Sequence, residues 1–442
     1  MLARRCGAAR VRAAAAAVAG LVFALVLVSS VAPARAGGDD GSSVTSPPGR
    51  WRAARPRPAS SAGELTEEQR EEIERLRSIG YLTGTEKAPA VSGVTVHDRA
   101  RAGGGWNFYT SGHFPGAVLM DMDGKVLHEW RRDFLSVWPD RGDDAEIEGA
   151  QSWRCAHLFE NGDVLAVYDG LGLVKLDKNS EVLWSFPEAA HHDVEVLEDG
   201  TIYVLTRRAH VVSRVNPARP ILEDFIAVLD PDGRKTREFS VLEAFERSRY
   251  SNMPACMSWR RYGDIFHTNS IEVLDGSLAD RLPGFAEGNV LISMRTLSLI
   301  AVIDMEREEV VWALTGLWLA QHQPVPLPSG RILVFDNRGA DGLSRVIELD
   351  PVTQEIVWEY SEPRRDRVFA TEMCGANQRL PNGNTLITES DAGRAFEVTP
   401  GGEIVWEYLN PERASGRVEL IATLFEMVRL PPDFPVEWSH GG

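Results

Sequence analysis

The chain has little cysteine: four residues in 442, with Cys6 near the start and Cys155, Cys256 and Cys374 in the body. Three leave at most one pair, which excludes a disulfide framework. No Cys-x-x-Cys or comparable spacing occurs, so the cysteines announce no metal site. Basic excess is also missing, with a formal net charge of −17. Such a surface repels phosphate and lacks the footprint of a nucleic-acid binder, so no nucleic-acid partner is expected. A glycine-rich nucleotide-binding motif is absent as well, and no cofactor is expected. Only one long apolar run exists, over residues 13–32.

That run follows Arg4, Arg5, Arg10 and Arg12 and ends before Ala34-Arg35-Ala36, a small-residue cleavage pattern. Residues 1–36 therefore read as an export signal, and the protein is expected to be periplasmic or secreted. The other reading is an uncleaved anchor, since the run is long enough to span; membrane contact is expected only in that case. Without its five arginines the chain carries −22. Residues 37–90 read as a linker that is Gly-, Ser-, Pro- and Arg-rich at first. The linker ends in a short amphipathic helix: Thr66 and Gln69 form a capping-box pattern, Ile73, Leu76 and Ile79 share a face, and Gly80 supplies a stop. Tyr81 and Leu82 read as an apolar foot. The helix either packs on the main domain or docks a partner.

Residues 91–442 are repetitive. Six units of about 40 to 50 residues alternate β-leaning runs with Gly, Asp and Asn turns, and most end in tryptophan: Trp130, Trp184, Trp312, Trp358 and Trp406. This is an all-β pattern, and it predicts a six-bladed β-propeller. The first unit lacks a leading strand, and residues 418–430 (VELIATLFEMVRL) form an extra one, so the chain's end is expected to close the ring. The tryptophans read as packing between blades.

The innermost strand of each blade lines the central channel, so equivalent positions ring the axis. His192 lies eight residues before the turn glycine Gly200, and His322 eight before Gly330, in QHQPVPLPSGRILVFDN; His267 lies nine before Gly276. In the last unit Gly375 is equivalent, with Asn377 two residues on. Asn269 is expected to face the channel with His267 by strand alternation, and His191 to face away from it. His157 is out of register. Seven residues after the turn glycines stand Asp169, Arg207, Arg295, Asn337 and Ser390, which makes Arg295 a candidate for the same funnel. A lone buried histidine is usually a structural hydrogen bonder. Three in register beside an arginine make a donor-rich pocket suited to a small anion.

The stretches HHDVEVLEDG, DIFHTNSIEVLDG, VLISMRTLSLIAVID and QHQPVPLPSGRILVFDNRG resemble the bacterial arylsulfate sulfotransferases, as does the opening GVTVHDRARAGGGWNFYTSGHFPGAVLMDMDGKVLHEW. The resemblance covers about residues 91–430. It implies an exported six-bladed propeller that moves a sulfuryl group from an aryl sulfate donor to a phenolic acceptor, independently of PAPS, through a sulfohistidine. By motif, His322 matches the nucleophile, Arg295 the arginine that stabilises the transferring group, and His192, His267 and Asn269 the sulfuryl-binding set. A threonine of the family pattern has no counterpart placed here. The alternatives are a non-catalytic exported propeller that binds an anion or a partner, and a three-histidine metal site. Arg295 argues against a cation, so no metal is expected.

Overall fold

The computed structural model describes residues 65–442, apart from 258–260, 340, 363–367, 415 and 441–442. The expected export signal and the linker up to residue 64 lie outside the described residues. Among the described residues, no helix is long and apolar enough to cross a membrane.

Six antiparallel sheets follow one another along the chain and form a six-bladed β-propeller. The second blade, for example, runs Cys155–Leu158, Val164–Tyr168, Gly172–Leu176, Val182–Phe186 from inside outward. Its second strand is buried at every position, because a blade has neighbours on both faces. Successive residues therefore serve different interfaces. In Val290–Met294, Val290 and Ile292 join the apolar cluster shared with the third blade, while Leu291 joins the cluster shared with the fifth. Clusters of this kind fill all six inter-blade spaces. This is why central strands read as unbroken apolar runs rather than as alternation.

The blade-end tryptophans work between blades, as expected. Trp130 Nε1 donates to Gly162 O of the next blade, Trp358 Nε1 to Pro400 O, and Trp406 Nε1 to Met122 O, each at 2.9 Å.

The expected closure is present in modified form. Leu424–Leu430 is the innermost strand of the first blade and pairs with Trp106–Ser111. Residues 417–421 do not continue that strand; Arg417–Ile421 turns back on Arg413–Ala414. A second closing strand was not anticipated: Gly93–His97 pairs with Ile404–Leu409 as a fifth, outermost strand of the last blade. The seam is held by a buried ion pair. Arg429 donates to Asn107 Oδ1 in its own blade at 2.7 Å and to Glu397 Oε2 at 3.1 Å, joining the first blade to the last.

The capping box forms, and the helix runs Glu67–Arg77. It packs on the third blade through Ile73 and Leu76 against Ala209 and Leu222, with Glu72 paired to Arg219. The helical pattern overreaches at its end. Ser78 is the cap, Ile79 is exposed, and the Ile79 carbonyl accepts from Arg207 at 2.5 Å. The chain has by then left the helix axis and turned toward the mouth of the channel. Tyr81 is accordingly no peripheral apolar foot: it is buried in that mouth.

Candidate active site

Each inner strand starts at one end of the channel and runs to a turn glycine at the other. Gly162, Gly200 and Gly330 sit at φ of 87°, 85° and 81°, a conformation that costs a side chain but not glycine. Shared turn geometry gives the strands a common frame, so residues at a fixed distance before the glycine meet at one level. His192, Asn269 and His322 all border a cavity of about 20 Å³ there, enough for one water. His267 joins them from the side, its Nε2 3.2 Å from that of His192. Arg295 lies at the same mouth. Its backbone N–H donates to His267 O at 3.1 Å and its Nη2 to Glu372 O at 3.2 Å, while its Nε is buried without a partner.

His322 is almost fully buried, at 1% exposure. Its Nδ1 donates to Asn337 Oδ1 at 2.7 Å, and Asn337 is itself oriented by donating Nδ2 to the carbonyls of Thr371 at 2.8 Å and Cys374 at 2.5 Å. Two carbonyls thus fix the amide, and the amide fixes the imidazole tautomer. The lone pair is left on Nε2, which is buried and unpartnered. Burial, with the charges of Arg154 and Arg295, holds this imidazole well below its ordinary pKa against the opposing pull of the Asn337 bond. It is therefore neutral at physiological pH.

His192 and His267 have φ of 58° and 52°. Each left-handed residue falls beside a register shift in its strand pairing. This local reversal breaks the alternation that was to turn His191 away from the site. The His191 and His192 Nδ1 atoms instead lie 2.6 Å apart. Asp264 holds His267 from behind, accepting from its Nδ1 at 2.5 Å. Burial opposes the charge on Asp264, but the His267 contact outweighs it and the carboxyl stays below its ordinary pKa. Nearby Asp224, fully buried and facing the Asp264 charge, is pushed up to about 7.

Two further participants were missed. Arg154, 6% exposed, borders the same cavity. It stands eight residues before Gly162, in the register of His192 and His322, so the signal was present in the second unit. The other is Tyr81. Its hydroxyl lies 2.5 Å from His192 Nε2 and 2.7 Å from His267 Nε2, and the Arg154 guanidinium sits over its ring at 5.2 Å. Burial raises the pKa of this phenol well above its ordinary value.

A buried neutral imidazole with a free lone pair, near arginines and other imidazoles, has the chemistry that nucleophilic transfer of an anionic group requires. Residues 156–411 match the family described as Arylsulfotransferase (ASST), and the chain belongs to that family. A segment of 175 residues is 29% identical to 3-mercaptopyruvate sulfurtransferase of Rattus norvegicus, covering 39% of this chain. The match spans about half of that protein, 52% of its length. Among solved structures, a Bacteroides caccae protein of unknown function aligns with 73% of this chain and 100% of its own, at 13% identity and a TM-score of 0.47. The β-propeller domain of Cps50 from Myceliophteria thermophila aligns with 74% of this chain and 90% of its own, at 9% identity and a TM-score of 0.41.

Proposed function

We propose that the chain transfers a sulfuryl group from an aryl sulfate to a phenol, without PAPS, through a sulfohistidine at His322. The observation that supports this most is the fixed tautomer of His322, whose unpartnered Nε2 is a neutral nucleophile in a buried site. In the first half-reaction Nε2 attacks sulfur, the N–S bond forms and the aryl O–S bond breaks. The departing phenolate takes a proton from His267, which Asp264 orients through its Nδ1. In the second, the acceptor phenol returns a proton to His267 as its oxygen attacks sulfur. The N–S bond then breaks and the His322 lone pair is restored.

The three sulfuryl oxygens need fixed donors throughout. Arg295 has a free Nε, His192 an Nε2 that contacts the Tyr81 hydroxyl in this structure, and Asn269 one amide proton beyond the one it gives to Gln321 O at 2.8 Å. Arg154 adds a fourth donor. The N-terminal residues support an exported enzyme, periplasmic or secreted. Turnover of p-nitrophenyl sulfate with phenol, with and without chelator, tests the reading. We expect ping-pong kinetics indifferent to chelation, a sulfuryl adduct on His322 when acceptor is omitted, and a loss of about ten-thousandfold or more in His322→Asn. Full activity in that variant, or zinc- or copper-dependent turnover, removes this mechanism.

A further inference from the structure

Tyr81 belongs to none of the six repeats and lies outside the residues matched to the family, yet its phenol occupies the centre of the site. The segment that brings it there is anchored at both ends. Upstream, the Glu67–Arg77 helix is seated on the third blade. Downstream, Thr423 N donates to Thr83 O at 2.8 Å, Ile421 N to Glu86 O at 2.9 Å, and Ala88 N to Glu419 O at 3.0 Å. Gly84 makes the contact close: a Cβ there would meet Ala414 Cβ at 2.5 Å and Ile421 O at 2.6 Å. Residues 78–82 bridge the two anchors across the mouth, and Tyr81 points inward from the middle.

A tyrosine that only filled space would satisfy its hydroxyl on a carbonyl or on water. Here both hydroxyl partners are imidazoles, and one proton arrangement makes each contact in the chain a donor–acceptor pair, leaving His191 Nε2 without a partner at its far end, 3.7 Å from Asp224 Oδ1. His267 gives its Nδ1 proton to Asp264, so its Nε2 accepts from the Tyr81 O–H. The Tyr81 oxygen accepts from His192 Nε2–H, and His192 Nδ1 accepts from His191. The phenol proton therefore points at the Asp264-held base, which is the arrangement an acceptor phenol needs just before transfer.

We propose that Tyr81 is the chain's own acceptor, a tyrosyl phenol seated at the acceptor position that receives the sulfuryl group from His322 in cis. This rests on the sulfohistidine reading above. In a ping-pong reaction the spent phenol leaves before the acceptor arrives, so donor and Tyr81 use one position in turn. The 78–82 bridge swings aside for the aryl sulfate and returns once the aryl phenol has gone. The Tyr81 O–S bond forms as the His322 N–S bond breaks, and the phenol proton passes to His267. The preferred external acceptors are then tyrosine-like phenols, including tyrosyl peptides.

The test is peptide mass spectrometry on full-length protein given p-nitrophenyl sulfate without acceptor. Trypsin places Tyr81 in residues 78–87 and His322 in residues 308–331, so the two adducts separate. We expect one sulfuryl group on Tyr81, at a rate independent of protein concentration and lowered by added phenol. In Tyr81→Phe, which keeps the ring and loses only the hydroxyl, the adduct should stop at His322; in His322→Asn neither peptide should be labelled. Labelling of His322 with an unmodified Tyr81, or labelling of Tyr81 that scales with protein concentration, overturns cis transfer and leaves the sulfohistidine reading intact. No label on either peptide and no release of nitrophenol removes both.

Discussion

The two ends of the central channel are built from the same strands and differ in almost everything else. At the strand starts stand Arg154, His192 and His322, bordering a cavity of about 20 Å³, with Tyr81 and His267 in contact with His192 beside it. Toward the turns stand Asp193, Glu195, Glu272 and Glu426, bordering cavities of about 190 and 390 Å³. A polar layer lies between: Gln323 donates to Glu426 Oε1 at 2.8 Å and accepts from the Asn377 N–H at 2.7 Å. The larger spaces carry these carboxylates, and the arginines that border them, Arg379 and Arg429, are paired to Glu348 and Glu397. The smaller one gathers Arg154, His192, Asn269 and His322, with Asp193 and Glu426 also on its border, so volume is a poor guide to chemistry in this channel.

Three substitutions or conditions probe this contrast, in falling order of effect. Arg295→Lys leaves the charge but not the planar fork, and we expect kcat to drop by about a hundredfold, the scale for one lost oxyanion donor. A change confined to KM at saturating donor would mean that Arg295 binds ground state only. Next, acid should weaken the histidine end selectively. Burial holds His191, His192 and His322 below their ordinary pKa, so the unfolded chain binds more protons once pH falls below about 6.5. Stability is thus full above that pH and declines below it, by up to about 1.4 kcal/mol per pH unit for each group. Urea unfolding between pH 7.5 and 5.5 measures the slope, and His322→Asn should flatten it; an unchanged slope would show that His322 is not kept neutral. Smallest is Glu195→Gln, at a carboxylate that borders the cavity of about 190 Å³ and not the small one. Turnover should stay within about threefold, since a distant charge acts on encounter rather than on transfer. A large fall there would bring the acidic end into the reaction.

What the sequence disclosed follows the same division. Blade number, closure by the C-terminal strand and the level of His192, His267 and His322 were legible because a shared turn glycine sets a ruler for every repeat. Arg154 was legible by that ruler and overlooked because it is not a histidine. The meeting of His191 with His192 was not legible, since alternation assumes extended backbone and His192 is left-handed. The position of Asn337 was legible but its task was not: fixing a tautomer requires knowing which carbonyls lie behind the amide. Tyr81 was beyond reach for a different reason. It reaches the site from outside the repeat, and no periodicity within the blades refers to it.

The seam sealed by Arg429 has a consequence for the array as a whole. In a linear stack of repeats the two terminal units lack a neighbour and need polar outer faces to stay soluble. Here Arg429 and Asn107 are separated by 322 residues, and closing such a loop costs about 5 kcal/mol of chain entropy. In return, no blade is terminal. Every sheet face has an apolar partner, so each unit can carry the same two-sided hydrophobic strand, and none has to be set aside as a cap. That freedom leaves the loops at the mouth as the places where the six units differ.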